Sequence, residues 1–392
     1  MSRTEEPDLN QIPNYRQCSV GVLDTGDDPD MRFDDEGRCH YYHDYMRAAA
    51  EQVHEGPEGE AMLQALAAQI RADGKGKPYD CIMGLSGGVD STYVALQARR
   101  LGLRPLAVHL DNGWNAELAV QNIEQIVSRL DIDLHTHVID WNEFRDLQRA
   151  QLKASVIDIE VVSDHAIFAV LNRLASKYGI RHVLSGTNVV TEFVMPPRWI
   201  YAKTDHVNIK AIHAAYGEVP LKTYPFMSLK LKKWDLMFRG LRSHSILNLL
   251  PYDKAAVKQR IIGELGWRDY GGKHHESIFT RFYQGYILPV KFGVDKRKAH
   301  LTNLIYAGQI TKEDALAELS APPYDPDQME EDRQFVSKKL GFTLAEFDEI
   351  MRAPPRPHSD YAVERSVYES YPALRPLRGA FNLIKRSAGK RA

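Results

Sequence analysis

The sequence predicts an α/β fold in which a parallel sheet is covered by helices on both faces. Short apolar segments alternate with longer amphipathic ones between residues 79 and 185. Strands that are buried on both faces and joined by helices are typical of parallel sheets. A glycine-rich turn separates the first of these strands from the next helix. In such sheets ligands bind beyond the carboxyl ends of the strands, so we expect the functional loops at that edge.

The predicted elements follow one another in a regular order. A helix over 59–73 leads into strands at 79–84, 106–110, 134–139 and 182–185. Helices are predicted between them at 92–100, 117–130, 141–153 and 163–178, the last of these capped by Ser163 or Asp164. Beyond Phe193 prolines interrupt the pattern, and the remaining helices are predicted at 253–265, 276–286, 296–306 and 311–319, followed by a final helical region from Pro322.

Length and composition limit the possible classes of protein. The 392 residues are 44% hydrophobic and 26% charged, with a net charge of -2, which gives no general attraction to nucleic acid. No apolar run reaches membrane-spanning length, and residues 1–6 do not form a signal peptide, so we expect a cytoplasmic protein without membrane insertion. The chain divides into four predicted segments: a ribbon-like 1–55, an α/β domain with the glycine-rich turn at 56–195, a mostly helical substrate-facing 196–325, and a helical 326–392 with a basic tail.

The glycine-rich turn has the features of a phosphate-binding loop. Its glycines allow the backbone to approach a ligand closely and to adopt conformations that a side chain would forbid. Its N–H groups and the following helix N-terminus would then face an anion together. It is not a Walker A motif, because it contains no lysine. The residues of this loop that are predicted to bind a phosphate-containing ligand are Leu85, Ser86, Gly87, Gly88, Val89, Asp90 and Ser91.

A second charged stretch lies between residues 267 and 276. Two glycines next to a lysine, histidines and a carboxylate suit a mobile loop better than a core, so Lys273, His274 and Glu276 are predicted to be catalytic together with Asp90. A phosphate or an anionic sugar acid would require nearby cations. The candidates for substrate binding are Arg281, Lys291, Lys296 and Arg297, although a solvated helix face would equally explain the charges at 296–298.

The N-terminal segment resembles a zinc ribbon that has lost half of its ligands. Cys18 and Cys39 occupy the first positions of two Cys-x-x-Cys pairs, but Gly21 and Tyr42 stand where the second cysteines would be. Structural zinc sites require four good ligands. We therefore predict at most weak zinc binding, unless His40 or His43 completes a site.

The S-G-G-x-D-S pattern of residues 86–91 resembles the pyrophosphate loop of the PP-loop ATP pyrophosphatases. This resemblance implies cleavage of ATP between the α- and β-phosphates and transfer of AMP to an oxygen of the substrate. The segment from Gly186 to Glu192 is similar to the second nucleotide motif of NAD synthetases. That likeness implies ATP contacts from Gly186, Thr187 and Asn188 and a magnesium ion held by Asp90 and Glu192. The superfamily seats adenine and ribose at the end of the second strand, here Leu110 and Asp111.

Taken together, several segments resemble the N-acetyl sugar amidotransferases of bacterial surface-polysaccharide synthesis. They are residues 86–91, 185–188, 266–280 and 295–301, and the likeness covers most of residues 15–320. The resemblance implies that an acetamido group of a nucleotide-activated diacetamido uronic acid becomes an acetamidino group in lipopolysaccharide O-antigen synthesis. It also implies ATP and Mg²⁺ as cofactors, and a partner similar to the glutaminase and cyclase subunits of imidazole glycerol phosphate synthase.

The cysteines indicate that ammonia is made elsewhere. An N-terminal nucleophile glutaminase would need an exposed cysteine at its start, whereas residue 2 is serine. Cys81 lies inside a predicted strand, where a thiol is inert packing. Two alternative functions remain open at this stage. One is a tRNA-modifying PP-loop enzyme of the thiolase or lysidine synthetase type, and the other is an inactive nucleotide-binding scaffold in a glycan-assembly complex.

Overall fold

A computed structural model describes residues 15–228, 239–271 and 276–365 of the chain. Its centre is a sheet whose paired strands all run parallel: β1 (Cys81–Gly84), β2 (Pro105–Asp111), β3 (Asp133–Val138), β4 (His182–Leu184) and β5 (Arg242–His244). The strand order is β3-β2-β1-β4-β5. The chain therefore starts in the middle, winds outward to β3 and then returns to the other side of β1. The order reverses between β1 and β4, and ligands of such sheets bind at this switch point.

Apolar side chains on β1 point alternately into two cores, one on each face of the sheet. Ile82 belongs to the first core, which also contains Phe144 from a covering helix and Phe347 from the C-terminal region. Cys81 and Met83 belong to the second core, together with Leu63, Val94, Ile123 and Ile261 from helices on the opposite face. This arrangement confirms the predicted parallel sheet with helices on both faces, because only a doubly covered strand can be apolar at every position.

The helices surround this sheet in chain order. They are α1 (His40–Gln52), α2 (Gly56–Asp73), α3 (Val89–Arg100), α4 (Glu117–Leu130), α5 (Trp141–Ala154), α6 (Val161–Tyr178), α7 (Val189–Glu192), α8 (His206–Tyr216), α9 (Lys254–Leu265), α10 (Ile278–Phe282), α11 (Lys296–Tyr306), α12 (Lys312–Ser320), α13 (Pro326–Leu340) and α14 (Leu344–Arg352). After α10 the chain continues as a π-helix over Tyr283–Phe292. The predicted helical character of the C-terminal region is confirmed as far as residue 352.

Helix caps differ from the prediction at one place. α6 begins at Val161 with Glu160 as its N-cap, so the prediction that Ser163 or Asp164 caps it was wrong. The apolar pair Val161 and Val162 is fully buried, and burial of this pair extends the helix beyond the polar residues that resemble a cap. Thr311 does cap α12, where its side chain and that of Asp314 form a reciprocal capping box.

The N-terminal segment forms two tight turns that pack against α11. Residues Gln17 and Asp24 form an antiparallel bridge, and Phe33 and Cys39 form another. The thiols of Cys18 and Cys39 are fully buried and belong to the first core. The segment is therefore anchored to the body of the protein. Among the described helices, none combines the length and the apolar character that crossing a membrane requires.

Candidate active site

The glycine-rich loop between β1 and α3 needs a special backbone conformation at one glycine. Gly87 has a φ of +81°, and a Cβ there would lie 2.9 Å from the carbonyl oxygen of Ala119. Gly88 is the N-cap of α3 with a φ of -74°, which any residue can adopt. The expectation that both glycines need such freedom is therefore correct for Gly87 and wrong for Gly88. The loop places the N-terminus of α3 at the carboxyl edge of the sheet, where it can face an anion.

Hydrogen bonds within the loop and from a neighbouring tryptophan fix the shape of this loop. The Gly88 N–H donates to the Ser86 hydroxyl at 3.2 Å, and that hydroxyl lies 3.2 Å from the Ser91 hydroxyl. From outside the loop, the indole N–H of Trp267 donates to the Gly87 carbonyl at 2.8 Å. Trp267 is fully buried, so it supports the loop as part of the second core. The phosphate loop is thus held in place by its own residues and by packing.

Beside the loop lies a cavity of about 350 Å³ at the switch point of the sheet. It is bordered by residues from the phosphate loop, from the segment after β4, from α9 and from the stretch before α10. The residues lining it are Ser86, Gly88, Val89, Asp90, Ser91, Gly186, Glu192, Lys254, Lys258, Trp267, Asp269, Tyr270, Gly271 and Glu276. Three residues predicted to be catalytic or to bind metal, Asp90, Glu192 and Glu276, therefore share one cavity.

Two tyrosines, the buried Tyr252 and the partly buried Tyr270, meet the carboxylates of this cavity. The Tyr252 hydroxyl donates to the carboxylate of Asp90. Burial and the nearby Asp90 carboxylate raise the pKa of Tyr252 far above its ordinary value, and burial and Glu276 do the same for the pKa of Tyr270. Both hydroxyls therefore stay protonated at neutral pH and act as hydrogen-bond donors. Sequence reasoning missed Tyr252, because nothing in the segment Pro251-Tyr252-Asp253 distinguishes it from a core residue.

The carboxylates of the cavity fit a magnesium ion that arrives with a nucleotide. Mg²⁺ is usually held by one or two carboxylates together with substrate phosphates and water, and not by a cage of protein ligands. Asp90 and Glu192 supply oxygen ligands of this kind in one cavity. Across residues 15–228, 239–271 and 276–365, no cluster of three or more His, Cys, Asp or Glu side chains is arranged to hold a metal ion. A magnesium site that has two carboxylates from the protein and is completed by the phosphates of the nucleotide agrees with both the shared cavity and the lack of a larger ligand cluster.

The second predicted nucleotide segment divides into a part that reaches the cavity and a part that does not. A Cβ on Gly186 would lie 3.3 Å from the Cβ of Asp90, so this glycine lets the two loops pack closely. The Asn188 side chain is buried and accepts the Thr191 N–H at 2.8 Å as the N-cap of α7. Thr187 is exposed, and its hydroxyl lies 2.8 Å from that of Ser185. In the structure Asn188 has a structural role, and the cavity lining includes neither it nor Thr187.

The predicted adenine edge is built as a turn. Asp111 accepts the Gly113 N–H at 3.0 Å and an amide N–H of Asn115 at 3.3 Å, which is how a turn aspartate behaves. Leu110 points into the first core. From α13, the ammonium group of Lys339 lies 4.6 Å from the ring centroid of Trp114, within reach of a cation–π contact. Neither Leu110 nor Asp111 lines the cavity, so the position of their side chains does not support the predicted nucleotide contact.

Two of the predicted substrate-binding cations are bonded to other parts of the chain. Arg281 forms two hydrogen bonds with Asp332, at 2.9 and 3.0 Å, and joins α10 to α13. Lys291 donates to the carbonyls of Ile350 and, at 2.8 Å, Ala353, at the end of α14. Burial lowers the pKa of Lys291 to about 8. These contacts hold the C-terminal helices together.

The other two cations also have internal contacts. The Arg297 guanidinium lies 2.7 Å from the carboxylate of Asp295 and donates to two carbonyls at the end of α12. The ammonium group of Lys296 lies 3.9 Å from the Glu160 carboxylate and over the ring of Tyr283. Arg281, Lys291, Lys296 and Arg297 are all absent from the cavity lining. The prediction that they bind substrate therefore receives no support from their positions.

Two of the residues predicted to be catalytic, Lys273 and His274, lie outside the described residues.

A tyrosine lies between the two N-terminal cysteines. The Tyr306 hydroxyl is 3.5 Å from the Cys18 sulfur and 3.3 Å from the Cys39 sulfur. A Cβ on Gly21 would lie 2.8 Å from the same hydroxyl. The hydrogen bond between the cysteines lowers the pKa of Cys18 and raises that of Cys39. Tyr306 thus occupies the space into which a ligand at position 21 would project.

Two family models match separate parts of the chain. Residues 80–170 match the model described as queuosine biosynthesis protein QueC, and these residues contain the phosphate loop. Residues 276–375 match the model described as LPS biosynthesis protein WbpG-like, C-terminal domain. The two matches together support a PP-loop ATP pyrophosphatase family in polysaccharide biosynthesis. The second match begins at Glu276, so the region similar to the WbpG-like domain contributes this residue to the cavity. Among curated proteins, no significant match was found.

Solved structures resemble this protein only in part. The NH3-dependent NAD synthetase of Campylobacter jejuni subsp. jejuni, in complex with the nitrate ion, is 15% identical, with a TM-score of 0.29 over 52% of this chain and 83% of that one. The NMN synthetase of Francisella tularensis is 15% identical, with a TM-score of 0.28 over 57% and 92%. A predicted subunit of tRNA methyltransferase from Methanocaldococcus jannaschii is 14% identical, with a TM-score of 0.27 over 46% and 73%. At such low scores these likenesses carry no argument about activity.

Proposed function

We propose that this protein is an ATP-dependent, AMP-forming amidotransferase of lipopolysaccharide O-antigen synthesis. In this proposal it converts an acetamido group of a sugar, a nucleotide-activated diacetamido uronic acid, into an acetamidino group. The observation that carries the proposal is the composition of one cavity. It is formed by a phosphate loop without a Walker lysine and by Glu276, the first residue of the WbpG-like region.

The proposed reaction balances in two steps. The amide oxygen of the acetamido group attacks the α-phosphorus of ATP, and pyrophosphate leaves. Ammonia then adds to the activated carbon, and AMP leaves with the former amide oxygen. An amide oxygen is a poor leaving group, and adenylylation removes this obstacle. Both steps depend on holding the reacting atoms in line and on excluding water.

The residues of the cavity divide this work. The N–H groups at the start of α3 and the serine hydroxyls of the loop would bind the departing pyrophosphate. Asp90 and Glu192 would hold Mg²⁺, which neutralises phosphate charge when it is bound. Tyr252 keeps the Asp90 carboxylate oriented through its hydrogen bond. Glu276, in contact distance of the phosphate loop, would accept a proton from ammonia as it adds.

Ammonia would come from a separate glutaminase and cyclase-like partner. All three cysteines are fully buried, and burial raises the pKa of Cys81 well above its ordinary value. A glutaminase nucleophile must be both accessible and activated, and none of the three thiols is accessible. We therefore expect free ammonium to support turnover by this chain alone, whereas glutamine should not. Turnover with glutamine in a variant that has all three cysteines replaced by serine would remove the basis for a partner.

The test follows the oxygen atom. The purified chain is incubated with ATP, Mg²⁺, ammonium and candidate diacetamido sugar nucleotides whose acetamido oxygen carries a heavy isotope. We expect AMP that contains the label, pyrophosphate, and a sugar product lighter than the substrate by the difference between the labelled oxygen and NH. Release of ADP without AMP would refute the proposal. AMP formation only with tRNA as acceptor would favour the tRNA-modifying alternative, and nucleotide binding without any turnover would favour the inactive scaffold.

A further inference from the structure

Two lysines that sequence reasoning missed project from α9 toward the phosphate loop. Lys254 and Lys258 lie four residues apart, so they share one face of the helix, and both line the cavity. Among the described residues that line the cavity, Lys254 and Lys258 are the only ones with a positively charged side chain. Lys254 is the first residue of α9, where the helix dipole disfavours a positive charge. A cation at a position that is unfavourable for the helix suggests a role outside the helix itself.

The charges of the cavity show why such cations are needed. Asp90, Glu192, Asp269 and Glu276 place four carboxylates around it. A triphosphate entering this cavity would be repelled unless cations compensate both the phosphates and the carboxylates. The Walker A loop contains a lysine for this purpose, whereas residues 85–91 contain none. The α9 lysines are placed to supply that charge from a different element.

Lys258 is already paired with one of these carboxylates. Its ammonium group forms an ion pair with Asp269, and the Asp269 carboxylate also accepts the Gly271 N–H at 3.0 Å. Burial alone would raise the pKa of Asp269, but the bonds from Lys258 and Gly271 lower it, so this carboxylate is ionised at neutral pH. The Lys258 side chain is 30% exposed and the Asp269 side chain 41% exposed. An ion pair this exposed is weak and can exchange partners.

We propose that Lys254 and Lys258 bind the β- and γ-phosphates of ATP, and that Lys258 leaves Asp269 to do so. The lysines thus replace the Walker lysine, and Asp269 is the counter-ion that holds Lys258 until the nucleotide arrives. This inference rests on the proposed use of ATP by the same cavity. It adds a residue pair with opposite effects on phosphate affinity, because Lys258 attracts the phosphates while Asp269 competes with them.

The test measures binding of magnesium pyrophosphate to the full chain by titration calorimetry, without turnover. K254Q and K258Q should each weaken binding roughly tenfold to a hundredfold, as the loss of a hydrogen bond to a charged group does. K258R should retain most of the affinity. D269N keeps an oxygen for the Gly271 N–H but loses the charge, so it should tighten binding several-fold. The control K75Q changes an exposed lysine before β1, at the opposite edge of the sheet, and should have no effect.

The outcomes separate this inference from the proposed function. If Lys258 and Asp269 served only to stabilise the fold, both K258Q and D269N would lower the melting temperature and leave pyrophosphate affinity unchanged, which would overturn the inference. A D269N variant that binds more weakly would also overturn it. Wild-type protein that makes AMP while K254Q and K258Q bind normally would refute the lysine roles alone. Lysine-dependent pyrophosphate binding without any AMP formation would refute the amidotransferase proposal and leave the phosphate site standing.

Discussion

Replacing Gly87 by alanine should destabilise the protein through the backbone of the phosphate loop. The positive φ of this residue costs an alanine roughly 1–2 kcal/mol. The new methyl group would lie 2.9 Å from the Ala119 carbonyl oxygen, and such overpacking adds roughly 1–3 kcal/mol. The free energy of unfolding should therefore fall by about 2–5 kcal/mol, a large share of the roughly 5–15 kcal/mol of a native protein. Urea denaturation followed by tryptophan fluorescence would measure it.

Gly88 provides the matched control for this prediction. Its backbone is compatible with alanine, and the added methyl would lie 3.2 Å from the Ser86 hydroxyl and 3.4 Å from the Tyr270 hydroxyl, inside the cavity. G88A should therefore retain its stability and lose affinity for ATP, whereas G87A should lose both. An unfolding free energy for G87A within about 0.5 kcal/mol of wild type would refute the loop geometry. So would an equal loss of stability in both variants.

Three further predictions test other parts of the molecule. Asp90→Asn should leave the fold intact and lower the rate of AMP formation on the order of a hundredfold, because one electrostatic contact in the site is lost; unchanged activity would exclude Asp90 from the site. Burial lowers the pKa of His358 from 6.5 to about 4. Between these pH values the unfolded chain binds a proton at this histidine and the folded chain does not. The free energy of unfolding should therefore fall by about 3 kcal/mol as the pH decreases through this range. His358→Phe, which can keep the stacking on Tyr201, should flatten this part of the unfolding profile. Elemental analysis of the wild type should find little zinc, and stoichiometric zinc would contradict this. The variant Gly21→Cys should bind no additional zinc unless Tyr306 is truncated as well, because the new cysteine side chain would collide with the Tyr306 hydroxyl.

The sheet could be predicted from the sequence because its central strands are apolar at nearly every position. Cys81, Ile82 and Met83 are fully buried, and the same holds for most of β2. Such strands allow one solution, a sheet covered on both faces, and that solution fixes which loops share an edge. The edge strand β5 could not be predicted in this way. Its three residues, Arg242–His244, are polar, and they form a strand only because β4 offers an open edge.

The helix α1 was missed for a related reason. Residues 40–52 follow a turn-rich segment, and only Tyr41, Tyr45 and Ala48 of this helix are buried. Its apolar face is narrow, since it packs against the body of the protein at one side. The sequence places Cys18 and Cys39 at ribbon-like spacing, but it cannot show that Tyr306, far along the chain, supplies the hydroxyl between them. Contacts over such separations are decided by tertiary packing.

The charged residues show most clearly where sequence reasoning stops. Arg281 and Lys258 carry the same charge, and each lies near a stretch that looks functional. Arg281 is 18% exposed and bonded twice to the buried Asp332, so breaking that pair would leave an uncompensated charge in the C-terminal core. Lys258 is more exposed, and its partner Asp269 lines the phosphate cavity with it. What separates a structural cation from one that can serve a ligand is therefore the burial and the position of its counter-ion, and both are properties of the folded chain.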